Sequence, residues 1–473
     1  MLLNFTHSTD TICATATATG TAALAVIRIS GTQAKHIVSQ IFTPVRSNNH
    51  WIHEGYKLHY GSIHNNGSHV DDVLVSVFSA PHSYTGEDSV EISCHGSQYI
   101  VQEILKLLLT QGARLAKAGE FTKRAYLNGK LDLSQAEAVA DLIASSSKAA
   151  HQLAVSQMKG NYAHELSDLR AQLLHFSAML ELELDFAEED VEFANREELQ
   201  KLAHTILARI EHLTNSFSIG NAIKNGVPVC IIGEPNVGKS TLLNTILNED
   251  RAIVSDIAGT TRDVIEDTMI IDGITFRFMD TAGIRTTDNH VEQLGINRTF
   301  AKIEQATIVL LLVDALQSTS LIQQQIAAIQ QRVQPHQHFI VVVNKIDLIP
   351  AEQREKHIET PLAAQLGAND AIVYISAKQH KNIHELTSLL VAKTQLNNCG
   401  ANDIILSNAR HYECLVNAAD SLQTVLQGLQ QGVSNELVCI DLRHALHAIG
   451  EITGAISNDE TLGHIFKNFC IGK

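Results

Sequence analysis

Eight residues near the middle of the chain, Gly233-Glu234-Pro235-Asn236-Val237-Gly238-Lys239-Ser240, have the types and spacing to hold a chain of phosphates. They fit the pattern G-x-x-x-x-G-K-S/T, in which glycines let backbone N–H groups come close to phosphate oxygens. Lys239 would place its ammonium against the outer phosphates, and the Ser240 hydroxyl would ligate Mg²⁺. Phosphate contacts are expected from Asn236, Val237, Gly238, Lys239, Ser240 and Thr241. The flanks agree. Val227–Ile232 is a short apolar run that predicts a buried strand, and Thr241–Asn248 reads as the start of a helix.

Such a loop selects a nucleoside triphosphate but not its base. About a hundred residues on, the apolar run Phe339–Asn344 leads into Asn344-Lys345-Ile346-Asp347. An Asp347 carboxylate at a strand end can accept from the two adjacent N–H donors of guanine. Adenine presents an acceptor there, and mismatches of that kind discriminate by ~10⁴-fold. A further strand, Ala371–Ser376, ends in Ser376-Ala377-Lys378, suited to a backbone contact with the guanine oxygen. The expected nucleotide is GTP.

Between these anchors lie two segments resembling nucleotide-sensing switches. Ile274–Met279 alternates like a half-buried strand and runs into Asp280-Thr281-Ala282-Gly283, where Asp280 can hold the Mg²⁺ water shell and Gly283 can turn its N–H toward the γ-phosphate. Upstream, Ser255-Asp256-Ile257-Ala258-Gly259-Thr260-Thr261-Arg262-Asp263 is a loop in which either threonine could complete the Mg²⁺ shell. A loop held by that contact is released on hydrolysis. Ile284 stands where many GTPases carry a water-orienting glutamine, so another polar group or a cation must serve; Asn236, Asp288 and Glu292 are the local candidates.

These elements sit in a chain of 473 residues, enough for about three domains. Residues 1–127 read as a mixed α/β domain, 128–220 as long helices, 221–395 as the nucleotide domain, and 396–473 as helix again. The order suggests a doubly wound domain set into a helical bundle. The acidic run Asp185–Phe193 reads as a solvated helix end or loop. A net charge of −16 argues against general nucleic-acid binding, so any RNA must meet a local basic patch or a partner's surface. Seven scattered cysteines without a C-x-x-C pair suit a reducing cytoplasm, and neither a membrane span nor a secretory signal is expected.

The motif order, the Gly259–Asp263 switch and the terminal Phe469-Cys470-Ile471-Gly472-Lys473 resemble the MnmE/TrmE family of tRNA-modification GTPases. So do the N-terminal blocks Val26–Gly31, Tyr84–Asp88, Gly119–Phe121 and Leu127–Leu133. The resemblance implies a multidomain α/β and α protein: an N-terminal α/β folate-binding-type domain that dimerises, a helical bundle, and an inserted Ras-like P-loop GTPase domain. It also implies a 5-formyl- or 5,10-methylene-tetrahydrofolate site at Arg28, Glu91, Lys130 and Lys473. K⁺ would be held by Asn236, Ser255, Ile257 and Thr260, Mg²⁺ by Ser240 and Thr261, and Glu292 would orient the attacking water. The family works as a homodimer with an FAD-dependent protein of the MnmG/GidA type on C5 of the tRNA wobble uridine. Two other readings compete: a ribosome-assembly GTPase switch without modification chemistry, and a folate-dependent methyltransferase with a regulatory GTPase domain.

Overall fold

The computed structural model describes residues 10–46, 51–53, 55–185, 196–249, 266–280, 302–350, 360–363, 367, 370–394, 404–456, 459–467, 469 and 472. The chain divides into two compact units. Met1–Ile143, Ser156–Leu202 and Ser421–Lys473 form the first, and Ala144–Val155 with Ala203–Asp420 the second, so the chain leaves the first unit and later returns to it.

The first unit contains a seven-stranded sheet of order β3-β4-β5-β6-β2-β1-β7. Its strands are β1 (Ile12–Thr15), β2 (Leu24–Ser30), β3 (Phe42–Pro44), β4 (Leu58–Asn65), β5 (Ser68–Phe78), β6 (Ser89–His95) and β7 (Arg114–Leu115). In β5, buried Val73, Val75 and Val77 alternate with less buried neighbours, the two-residue period of a sheet covered on one face. That covered face packs on the helices Ala34–Ile41 and Gln98–Thr110 in one apolar core. Beyond the sheet, helix Asn161–Asp185 packs on helix Asn435–Thr453. Leu166, Leu169, Leu173, Phe176 and Leu180 are buried along the first, and Val438, Leu442, Ala445, Ile449 and Ile452 along the second. Both stripes advance by alternating threes and fours, as a helix seam requires. Within the stretches 128–220 and 396–473, read as helix from the sequence, the structure places helices Leu133–Ala144, Asn161–Asp185 and Asn435–Thr453 among others.

The second unit holds a six-stranded sheet of order β13-β12-β11-β8-β10-β9. Its strands are β8 (Val227–Ile232), β9 (Glu266–Ile271), β10 (Ile274–Asp280), β11 (Ile308–Asp314), β12 (His338–Asn344) and β13 (Ala371–Tyr374). All neighbours are parallel except β9 and β10, which pair antiparallel. Buried on both faces, β11 and β12 are continuous apolar runs rather than alternating ones, as parallel sheets demand. The chain order reverses at β8, which lies between β11 and β10. In a doubly wound sheet that reversal opens a crevice at the strands' carboxyl ends, where ligands bind.

Candidate functional site

The phosphate loop connects β8 to helix Lys239–Glu249 and so sits at this crevice. Asn236 has φ of 66° and Gly238 of 103°, so successive peptide planes turn and the helix begins at Lys239. The N-terminal N–H groups of this 11-residue helix are a ready anion site. Ser240 and Thr241 are exposed there, and Lys239 Nζ donates to the carbonyls of Gly233 (2.7 Å) and Glu234 (3.2 Å).

Asn344 joins the three nucleotide loops. Buried at 3% exposure, it donates from Nδ2 to Val237 O (2.9 Å) and accepts at Oδ1 from the Ala377 N–H (3.0 Å). Thr245 Oγ1, nearly two turns into the helix, donates to Ala377 O at 2.9 Å. Lys345, in the left-handed region at φ 66°, donates from Nζ to Asn236 O (2.9 Å) and to Asp314 Oδ2 (2.6 Å). Asp347 follows in the short turn Ile346–Leu348, half-buried, with Ile346 N–H bonded to Ile375 O at 3.2 Å. Ser376 is fully buried, and Lys378 is exposed beside it. The structure thus gathers Asn236, Val237, Gly238, Lys239, Ser240, Thr241, Asn344, Lys345, Asp347, Ser376, Ala377 and Lys378 at one sheet edge. Asp280 ends β10 opposite Ile231 of β8, at the same edge. Ser255, Asp256, Ile257, Ala258, Gly259, Thr260, Thr261, Thr281, Ala282, Gly283 and Glu292 lie outside the described residues. No sequence motif marks Asp314, whose carboxylate positions the motif lysine; it follows the apolar residues Ile308–Val313, a visible but unspecific signal.

A second constellation forms in the first unit. Arg28 on β2 and Glu91 on β6 are cross-strand partners, and Arg28 Nε donates to Glu91 Oε1 at 2.9 Å. The Arg28 guanidinium lies over the rings of Tyr84 (5.2 Å) and Phe121 (5.7 Å), so aromatic faces complete its surroundings. Lys130 Nζ donates to Pro81 O at 3.2 Å, and the Asn128 amide to Thr85 O at 2.7 Å, fixing the Leu127–Leu133 block against the Tyr84–Asp88 loop. Arg124, 7% exposed, holds that loop from the other side through Glu87 (3.1 Å) and reaches Asp10 and Glu120 as well. Burial would raise the Glu120 carboxyl, but hydrogen bonds from Arg114 and the Lys117 N–H, with the nearby Arg114 and Arg124 charges, hold it below the usual carboxylate range. Gly472, buried with φ 97°, abuts β1: a Cβ there would meet Thr15 O at 2.1 Å. Lys473 and Cys470 lie outside the described residues.

Strand order, phosphate loop at the reversal and the Asn-Lys-x-Asp turn beside it define a doubly wound P-loop GTPase domain, here carried on a chain with a separate α/β sheet unit. The family model for the MnmE helical domain matches residues 133–470, and that for the GTP-binding protein TrmE N-terminus matches residues 11–130. The tRNA modification GTPase MnmE of Bacteroides thetaiotaomicron is 53% identical over 465 residues, covering 98% of this chain and 99% of that protein. The protein of the same name from Flavobacterium johnsoniae is 50% identical over 466 residues, with the same coverage. A crystal structure of Era with MgGDPNP and a segment of 16S ribosomal RNA aligns with 41% of this chain and 66% of that one, at 27% identity and a TM-score of 0.29. The chain belongs to the MnmE/TrmE family of tRNA-modification GTPases.

Proposed function

We propose that this GTPase hydrolyses GTP to drive modification of certain tRNAs at C5 of the wobble uridine, position 34, adding an aminomethyl- or carboxymethylaminomethyl-type group. Its relatives are named tRNA modification GTPases over nearly their whole length. The observation that carries the reading is one chain holding both a phosphate loop tied to the Asn-Lys-x-Asp turn and the Arg28–Glu91–Lys130 constellation. A GTPase acting only as an assembly switch has no use for the second. The division into 1–127, 128–220, 221–395 and 396–473 belongs to the same reading.

Within the nucleotide site, Ser240 would hold Mg²⁺ with Thr261. The exposed hydroxyl at the helix start, with Asp280 ending the neighbouring strand, fits an oxygen-seeking cation. Bound Mg²⁺ neutralises charge on the outer phosphates. K⁺ would be held by Asn236, Ser255, Ile257 and Thr260, supplying positive charge where Ile284 cannot orient water, and Glu292 would position that water. Asn236 fits this assignment: it is exposed and held at φ 66° in the loop. The expected result is GTP turnover roughly tenfold or more faster in K⁺ than in Na⁺ at equal ionic strength. Equal rates in the two salts would remove the potassium ion from the scheme.

Folate, as the 5-formyl or 5,10-methylene form, would sit at Arg28, Glu91, Lys130 and Lys473. Glu91 can accept from pterin N–H groups, and the cations suit the pterin carbonyl and the glutamate tail. When bound, the folate supplies the one-carbon unit. Replacing Arg28 by alanine should weaken 5-formyl-tetrahydrofolate binding roughly 10–50-fold in titration calorimetry, through loss of a charge-assisted contact. GTP hydrolysis should be unchanged. Wild-type folate affinity in that variant would move the site elsewhere.

A homodimer is supported by the same sheet. Tyr60, Leu74, Ser93 and Val26 lie in register on one row, and Leu58, Ser76, Glu91 and Arg28 on the next, two residues along and so on the same face. Leu58 is 60% and Tyr60 54% exposed, an apolar surface suited to a second copy. An MnmG/GidA-type FAD protein and tRNA would complete the complex. The setting is cytoplasmic; among the described residues no helix is long and apolar enough to cross a membrane.

Mass spectrometry of tRNA nucleosides from cells lacking this protein, and from cells lacking the flavoprotein, tests the whole. Loss of the C5-substituted wobble uridine in both supports it. Intact modification with immature ribosomes, or a missing methyl group independent of the flavoprotein, would overturn it.

A further inference from the structure

The second residue of the phosphate loop is a glutamate, an unfavourable charge to bring near a triphosphate. A carboxylate close to a phosphate opposes its binding through like-charge repulsion. The structure shows where that charge is directed. Glu234 Oε2 accepts from Gln317 Nε2 and Oε1 from Gln325 Nε2, each at 2.8 Å. Gln317 belongs to the turn that follows β11, and Gln325 to helix Thr319–Gln330. The turn itself is fixed: Leu316 N–H donates to Asp314 Oδ1 (3.0 Å) and Gln317 N–H to Asp314 O (3.0 Å). The same Asp314 holds Lys345, which bonds Asn236 O, two residues along the loop from Glu234.

We propose that Glu234 is a positioning residue for GTP binding: its double amide clamp to Gln317 and Gln325 fixes the entry of the phosphate loop to the β11 turn and holds its own charge away from the phosphates. The first half of the loop is thus secured from one turn at two points, through Gln317 at Glu234 and through Asp314 and Lys345 at Asn236. The phosphate-contacting positions Asn236 to Thr241 begin at the second of those anchors and run on from it. Freeing Glu234 would loosen the cradle before nucleotide enters, so the cost falls on affinity rather than on the chemical step.

The amide isostere separates geometry from charge. In Glu234→Gln the new oxygen still accepts from Gln325. Its NH₂ can donate to Gln317 Oε1, a buried atom with no hydrogen-bond partner among the described residues. Glu234→Ala can do neither. With the full-length chain, we expect Glu234→Ala to raise KM for GTP and speed release of a fluorescent GDP analogue by about tenfold, with kcat within threefold of wild type. Glu234→Gln should stay within about threefold on every measure. The pair Gln317→Leu with Gln325→Leu attacks the clamp from its other side and should reproduce the alanine phenotype. Combining all three changes should add little, since one interaction is being removed twice. If Glu234→Ala is poorly folded by thermal melting, the glutamine pair carries the test alone. The proposal is overturned if GDP release is unchanged in the clamp variants, if Glu234→Gln is as impaired as the alanine variant, or if the effects of the two sides simply sum.

Discussion

Replacing Asp347 by asparagine should invert the base preference, lowering GTP affinity on the order of 10³-fold and allowing xanthosine triphosphate to bind instead. The carboxylate offers two acceptors to the two adjacent donors of guanine, the ring N–H and the exocyclic amine. An asparagine amide keeps one acceptor and turns one into a donor. That donor would face the guanine amine, leaving two unsatisfied donors in contact, whereas xanthine carries a carbonyl at the same place. The substitution is informative because the turn carrying it is fixed by other groups. Ile346 N–H is tied to Ile375 O, Leu348 N–H to Lys345 O, and Lys345 to both Asp314 and Asn236 O. The side chain can therefore change without moving its backbone. Competition binding with GTP and xanthosine triphosphate reads the result directly, and a variant that still prefers guanine would show that Asp347 does not read the base.

That turn also shows how far the amino-acid order alone can be carried. The phosphate loop, Asn344-Lys345-Ile346-Asp347 and Ser376-Ala377-Lys378 are legible because each is a local pattern at the end of an apolar strand. Strand and motif occupy consecutive residues, and β8 is found at its expected limits, Val227–Ile232. The clamps between them are not legible. Glu234 meets Gln317 and Gln325 across 83 and 91 residues, and nothing local to a glutamine announces its partner. Arg28 and Glu91 are likewise joined by strand register, 63 residues apart, and register depends on how β2 and β6 pair rather than on either segment. For the Arg28–Glu91–Lys130 constellation the residues were reached by family likeness. The geometry adds what likeness left out, namely the aromatic faces of Tyr84 and Phe121 beneath the guanidinium and the buried Arg124 that secures the Tyr84–Asp88 loop.

The phosphate loop leaves no room for a single added methyl group, and this gives the second large effect. Gly238→Ala should reduce GTP affinity by about 10³-fold, for two reasons that can be separated. Its φ of 103° lies where a side chain is strained by about 1–3 kcal/mol. In addition, a Cβ at Gly238 would stand 2.5 Å from Asn344 Nδ2. Asn344 is buried and is the residue that ties Val237 O to the Ala377 N–H, so it cannot yield without leaving buried groups unpaired, at about 1–3 kcal/mol. The two costs together correspond to the expected loss. Gly112 supplies the control within the same chain: it has the same φ of 103°, but nothing lies within 4 Å of the Cβ it would acquire. Gly112→Ala should therefore show the strain alone, as a lowered melting temperature, with GTP binding intact. Equilibrium binding of a fluorescent GTP analogue to both variants distinguishes collision from strain. If Gly238→Ala binds within threefold of wild type, Asn344 is not the rigid strut between the loops that its hydrogen bonds describe.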